Sequence, residues 1–274
     1  MNVDGVNAKI NRAEKHLHEL RGLTDPIVAV ATASIVREAG GDSTKLLYRA
    51  TEVPALPAEI GTIVGDILCN LRSALDHLAW QLVEREGLKP TRATFFPIYT
   101  TRPVDKRGAS VPVTIRPGLV DPALLQLLRE VQPFERAAKY NRDPKDEALA
   151  LLQTLNNLDK HNLLIASVCT INREMPGWWG KPDASPDPGF TFRVSPIVSG
   201  DVVARFDFKG QEPWNDFEPN LSLATSIWDP AAQWLSHIDI AEGLSALCGN
   251  IRWMISYEFL RLVGLPPLET TTQR

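Results

Sequence analysis

The stretch from Ala58 to Glu86, AEIGTIVGDILCNLRSALDHLAWQLVERE, decides how this chain is read. Val64, Ile67, Leu68, Leu71, Leu75, Leu78 and Leu82 recur at helical spacing and fall on one broad side of a helix. The opposite side collects Thr62, Asp66, Asn70, Ser73 and His77, and then Gln81 or Glu84. Arg72 and Asp76 lie beside this polar stripe, near the flank of Gly61 and Gly65, whose small-xxx-small spacing invites another backbone to approach. Pro54 and Pro57 lead into the segment, and Gly87 followed by Pro90 ends it, as a glycine past the helix end and a later proline should. Asn70 and Ser73 are poor interior helix formers, so a face chosen only for stability would carry Ala, Lys or Glu there. The stripe therefore points to a partner, a buried polar network or a site. Its plainer alternative is a solvated face carrying an Arg72–Asp76 pair at i,i+4 spacing, worth about 0.2–0.5 kcal/mol.

Outward from this helix, residues 5–22 repeat Ile10, Ala13, Leu17 and Leu20 at helical spacing. Ile27–Glu38 and Leu46–Val53 are rich in β-branched residues, and Gly40-Gly41-Asp42 between them predicts a hairpin turn. Residues 91–120 read as a long extended loop, with Phe95-Phe96-Pro97-Ile98 plugging into the core. Asp121-Pro122 starts a short helix over 123–131, and a further helix spans about 144–160. Strands are expected within 163–171, 190–194, 202–208 and 221–227, with Ser199-Gly200-Asp201 as a turn. Asp229-Pro230 begins a final helical region reaching about Val263, with a break near Gly243. Helices at both ends and in the middle, with antiparallel strands between, predict a single α+β domain over 1–274.

Composition bounds the function. The chain has 274 residues, 44% hydrophobic and 23% charged, with a formal net charge of -4. That is an ordinary globular composition with room for one large core or two small ones. Mild acidity speaks against an overall basic surface for nucleic acid, but not against a local patch. Such a patch exists in the sequence: Lys89, Arg92, Arg102, Lys106, Arg107 and Arg116 all fall in the long loop. Cys69, Cys169 and Cys248 are far apart in apolar runs, without a CxxC, and read as buried thiols in a reducing compartment. The first residues show no secretory signal, and the apolar run Ile27–Val36 is too short to cross a bilayer. A cytoplasmic protein without a membrane partner is expected. No glycine-rich phosphate loop and no GxSxG elbow is present, which excludes P-loop hydrolysis and serine-hydrolase chemistry of those types.

A second polar cluster, Asn156, Asn157, Asp159, Lys160, His161 and Asn162, sits where the 144–160 helix meets the next strand. One reading makes it a helix-end cap, with Lys160 and His161 favoured by the helix dipole. The other places Asn157, Asp159, Lys160 or His161 near the polar stripe as a second phosphate-binding or acid–base group. A metal site from Asp76, His77, Asp159 and His161 is disfavoured, because adjacent helical residues point about 100° apart. No cofactor is expected. His16 and His18 belong to the outside of the first helix, and Trp178-Trp179 either stacks on a base or partner or packs on the sheet.

Arg72-Ser73-Ala74-Leu75-Asp76-His77 resembles the Arg-x4-His motif of the HEPN superfamily, helical-bundle proteins that include many metal-independent ribonucleases. A second Arg/His pair, Arg12 and His18, occurs on the first helix with one more residue between. The wider string Gly65–Leu78, with Phe96-Pro97-Ile98 and Asp159-Lys160-His161, also looks like a group of uncharacterised bacterial and phage-associated proteins. The HEPN resemblance implies a helical-bundle core and transesterification of RNA without metal. His77 would be the acid–base group, since imidazole titrates near working pH, and Arg72 would hold the scissile phosphate. Asp66, Asn70, Ser73 and Asp76 would support them. Ser73 departs from the Asn, His or Asp that more often follows the arginine; Asn70 offers an amide one turn away. Because Arg72 and His77 are about 140° apart around an ideal helix, one phosphate is reached more easily across a cleft. HEPN nucleases form that cleft by dimerising, so the resemblance implies a homodimer and an RNA partner. A role in bacterial defence or as a toxin, with an antitoxin, follows from it too. The alternative is a non-catalytic homodimeric binding protein, with the polar face as dimer seam or ligand pocket.

Overall fold

The computed structural model describes residues 1–38, 42–161, 165–171, 188–193, 196–214, 217, 219, 221–228 and 239–269, and only the backbone of His161, Ile165, Thr170, Ile171 and Trp228. The protein is mixed α+β with antiparallel sheets. In chain order its elements are α1 (Asp4–Ala33), β1 (Ile35–Glu38), β2 (Lys45–Ala50), α2 (Glu59–Arg85), α3 (Pro122–Glu130), α4 (Pro133–Tyr140) and α5 (Ala148–His161). They continue with β3 (Ile165–Ile171), β4 (Gly189–Phe192), β5 (Val202–Asp207), β6 (Ser222–Trp228) and α6 (Ile240–Trp253), which passes into a π-helical turn, Met254–Leu260. A 3-10 turn, Pro144–Asp146, precedes α5. The chain divides into two compact units, each assembled from separated segments: Met1–His18, Ile63–Leu163 and Leu244–Arg274 form the first, and Glu19–Thr62 with Leu164–Gly243 the second.

The helical unit contains most of α2. Val64, Ile67, Leu68, Leu71, Leu75, Leu78 and Leu82 are all fully buried, so the apolar side read from spacing is the core side. Gly87 closes α2 at φ +73. Its N–H donates to the Glu84 carbonyl at 2.9 Å, and that of Leu88 donates to Val83 at 3.2 Å. This pair of bonds satisfies two carbonyls the helix end would otherwise leave bare, and it needs the left-handed residue that only glycine adopts without strain. The loop that follows returns to the same place, because the Glu86 carboxylate accepts the N–H groups of Val120 (2.7 Å) and Asp121 (3.1 Å). Within it Phe96, Pro97 and Ile98 are buried while Phe95 is exposed. The Phe96 ring meets Phe259 edge-on, with centroids 5.7 Å apart. Gln132, fully buried, fixes the plug by accepting from Tyr99 N–H (2.9 Å) and donating to the carbonyls of Pro97 (3.1 Å) and Leu128 (2.9 Å). Asp121 caps α3 as its sequence predicts, accepting from the backbone of Ala123 and Leu124.

The sheet unit holds two antiparallel sheets, one in the order β1-β2-β5-β4 and one of β3 with β6. Leu46, Tyr48, Val203, Phe206 and Phe208 from the larger sheet share a core with Val168 and Leu223 from the smaller one. Phe206, Phe208, Trp214 and Phe217 pack edge to face there. Such offset geometry lets the positive ring edge meet the negative face.

Three expectations are corrected. Residues 27–33 form no strand: α1 runs through Pro26 to Ala33, and only Glu38 and the three residues before it are extended. The alternating alanines of 29–33 favour a helix, and Ala31 is buried in the sheet unit's core, so packing outweighs the β-branched pattern. Ser34 ends the helix, its N–H donating to Val30 (3.1 Å) and its hydroxyl to Ala31 (2.7 Å). Helix α4, bracketed by Pro133 and by Asn141 at φ +52, occupies residues for which the sequence predicts no element. Finally, α6 passes through Gly243 unbroken. Asp239 caps it, accepting from Glu242 N–H at 2.9 Å; Asp229, Pro230 and Gly40-Gly41 lie outside the described residues.

Candidate functional site

The polar stripe of α2 is not a bare solvated face. The start of α1 runs along it in the opposite direction: Asn2 N–H donates to Gln81 Oε1 (2.6 Å), and Lys9 Nζ donates to Asn70 Oδ1 (3.4 Å). Between these bonds Gly5 lies so close to His77 that a Cβ there would come within 2.9 Å of Nδ1. The missing side chain of Gly5 is what lets the α1 backbone approach the imidazole. Asn70 also donates back to the Asp66 carbonyl at 2.8 Å, which gives its amide a local partner.

Beside this seam lies a cavity of about 440 Å³ lined by Ser73, Asp76, His77, Trp80, Gln81 and Thr94. That volume is in the range of small-molecule sites, roughly 300–1,000 Å³. His77 and Trp80 are exposed. Glu84 braces the wall by accepting from Trp80 Nε1 (3.1 Å) and from Gln81 Nε2 (2.7 Å), one carboxylate oxygen for each. Thr94 donates its hydroxyl to the Arg116 carbonyl at 2.7 Å and so ties two parts of the loop together at the cavity. All six basic residues of the loop are exposed, and among the described residues none of them forms an ion pair. With Asp105 the single acidic residue between Gly87 and Val120, the loop carries positive charge that the net charge of -4 conceals.

Arg72 is engaged elsewhere. Its guanidinium meets Asp76 through Nη2 (2.8 Å) and Nε (3.3 Å), and Nη2 also donates to the Phe96 carbonyl at 2.7 Å. Asp76 Oδ1 in turn accepts the Phe96 N–H at 2.9 Å. The pair clamps both backbone groups of Phe96, a backbone stretch that has no sheet or helix to satisfy it. The surface pair predicted from i,i+4 spacing is thus half-buried and ties the loop to α2.

The second cluster reaches α2 at one point. Asp159 lies against Gly65, where a Cβ would be 2.5 Å from Oδ1 and 2.7 Å from Oδ2. At Gly65 the small-residue flank therefore admits a side chain, that of Asp159. Twelve residues separate Gly65 from His77, about 18 Å along the helix axis. Asp159 is not among the cavity's lining residues, and neither are Asn157 or Lys160, both of which are exposed; the side chain of His161 lies outside what the structure describes. Burial, and then repulsion from Asp66, holds the Asp159 carboxyl above its ordinary value of 3.8. The folded protein then binds more protons than the unfolded chain as pH rises from 3.8 through the raised value, so stability falls across that window. Asp159→Asn is expected to melt higher than the parent near neutral pH, with the gap closing as pH falls below 3.8. Thermal melts across pH measure it, and a gap independent of pH would refute the assignment.

Among the described residues no group of three or more His, Cys, Asp or Glu is placed to hold a metal ion, and no helix is long and apolar enough to cross a membrane. Cys69 is exposed on α2, against the expectation that all three thiols are buried. Burial pushes the thiols of Cys169 and Cys248 up to about 11 and about 12. His16 is buried rather than outside α1, while Arg12 and His18 are exposed. Trp178-Trp179 and His237 lie outside the described residues. Trp80 and Thr94 escaped the sequence reading, although Trp80 stands one turn past His77 and could have been found from that spacing. Comparison with protein-family models, curated proteins and solved structures finds no match to this chain.

Proposed function

We propose that the cavity beside α2 binds a single-stranded RNA segment and that His77 is the acid–base group of a metal-independent cleavage there. The observation that carries this reading is the shared wall of His77, Ser73 and Trp80, to which the basic loop contributes Thr94. A braced, exposed indole offers a stacking face to any base, worth about 1–3 kcal/mol. Arg92 lies two residues before Thr94, and Arg116 is tied to that threonine, so both are candidates to meet the phosphates. Arg72 departs from the HEPN pattern in this reading. It positions the loop through Asp76 and Phe96 and leaves the phosphate to the loop arginines.

The engagement of Arg72 favours a second reading, a non-catalytic binding protein that uses the same cavity. Incubation with end-labelled RNA in EDTA separates the two, with binding followed by anisotropy. Trp80→Ala is expected to weaken binding by roughly 5- to 150-fold, the equivalent of one lost stacking contact. Replacing Arg92 and Arg116 together should lower the salt slope by about 1.4, at ~0.7 per phosphate contact on a single strand. His77→Ala should bind as the parent does and cut nothing. RNA bound and never cut supports the second reading, and RNA not bound at all overturns both. Sedimentation of the same samples tests the homodimer that the cleavage reading brings with it.

A further inference from the structure

Between the plug at Phe96-Pro97-Ile98 and the buried side chains of Val113 and Ile115, the chain makes an excursion. Every residue from Tyr99 to Pro112 except Pro103 is exposed, so the stretch adds little to the core. It is nonetheless closed on itself. Val104 and Ser110 form an antiparallel bridge, and the Val111 N–H donates to the Pro103 carbonyl at 3.0 Å. Beyond the bridge, the Asp105 N–H donates to the Ala109 carbonyl (2.8 Å) and the Gly108 N–H to the Asp105 carbonyl (3.0 Å). Asp105 Oδ1 accepts two further N–H groups, those of Arg107 (2.8 Å) and Ala109 (2.9 Å). Gly108 turns the chain at φ +80, where any side chain would be strained. The result is a short finger with Lys106 and Arg107 in its turn and Arg102 at its base.

Order without burial needs a reason. Fixing the backbone of one residue costs about 1–2 kcal/mol, and a segment exposed along its length gains little apolar burial in return. What the finger displays is charge. Arg102, Lys106 and Arg107 are exposed, and none of them forms an ion pair among the described residues. The one acid nearby, Asp105, turns its Oδ1 to the N–H groups of the finger itself. The loop that bears the finger is clasped at the cavity beside His77, because Thr94 lines that cavity and donates its hydroxyl to the Arg116 carbonyl.

We propose that this finger grips the phosphate backbone of a single-stranded RNA. The choice of RNA as the polyanion rests on the function proposed above, in which the cavity holds a few nucleotides and leaves the rest of the strand to other contacts. Cations at fixed positions neutralise phosphates and release their counterions, which supplies affinity without reading sequence. A lipid surface is disfavoured, since the turn Asp105-Lys106-Arg107-Gly108 carries no apolar side chain to insert.

Anisotropy with single-stranded RNAs of about 4 and about 20 nucleotides tests the proposal on the full chain. In the parent, the longer RNA is expected to show a salt slope steeper by about 2.1, at ~0.7 for each of the three cations. Its affinity should then fall roughly 20-fold further than that of the shorter RNA between about 50 and 200 mM salt. Arg102→Gln, Lys106→Gln and Arg107→Gln combined should remove that excess and leave the shorter RNA unaffected. All three side chains are exposed, so the variant should melt with the parent. Equal slopes for the two RNAs in the parent, an unchanged slope in the folded variant, or equal loss on both lengths overturns the finger and leaves the cavity reading intact. A lowered slope in the variant, with Trp80→Ala affecting neither RNA, supports the finger and sinks the cavity reading instead. A parent that binds neither RNA overturns both, as does finger-dependent capture by phosphatidylserine vesicles in place of RNA.

Discussion

Phe96→Ala is expected to destabilise the protein by about 3–5 kcal/mol, the range for emptying a fully buried aromatic site. Its neighbour sets the control: Phe95 is 51% exposed, and Phe95→Ala should stay within about 0.5 kcal/mol. Adjacent identical side chains then differ several-fold in effect, because one is fully buried in the core and the other is half exposed. Phe96 meets Phe259 in the π-helical turn, so its removal also loosens an aromatic contact worth about 0.5–1.5 kcal/mol beyond area burial. Urea denaturation of both variants measures the contrast, and similar midpoints would show that the segment does not plug the core.

The second large effect belongs to the residue with two competing roles. Arg72→Ala should cost about 1.5–3 kcal/mol, since it leaves the Phe96 carbonyl and the Asp76 carboxylate each short of a charged donor. Arg72→Lys should recover less than half of that, because an ammonium cannot fork between a carboxylate and a carbonyl in the same geometry. A double-mutant cycle with Asp76→Ala isolates the pair, with coupling of about 0.5–3 kcal/mol expected for side chains in one network. If Arg72→Ala has the stability of the parent and loses only RNA cleavage, the guanidinium serves the phosphate after all and the clamp is incidental. Cleavage must therefore be compared at a temperature where circular dichroism shows both proteins folded.

Much of the fold was legible. The seven apolar positions of α2 from Val64 to Leu82 all face the core, because a 3.6-residue period leaves a helix one way to bury a leucine stripe. Gly87 ends the helix and Asp121-Pro122 starts α3 by local rules that need no neighbours. Local rules failed where two of them conflicted. Ile27–Ala33 carries β-branched residues among alanines, and burial of Ala31 in the sheet unit's core decided for helix. Asn141 at φ +52 closes a helix for which no apolar period gives warning.

The candidate site was legible in kind and not in arrangement. The odd composition of the α2 stripe pointed to a partner, a buried polar network or a site without deciding among them; that the start of α1 lies against it, admitted by the absence of a side chain at Gly5, was not legible. The Arg72–Asp76 pair was visible as i,i+4 spacing; that both side chains grip Phe96, twenty residues and more away in sequence, was not. Helical geometry belongs to neighbouring residues, so the α2 stretch carried its own buried side, its ends and its polar stripe in its spacing alone. What meets that stripe depends on contacts between segments far apart in the chain, because no local periodicity records which loop returns to which helix. Only the tertiary structure set His77 beside Gly5, opened a cavity with Trp80 and Thr94, and turned Arg72 toward a backbone carbonyl.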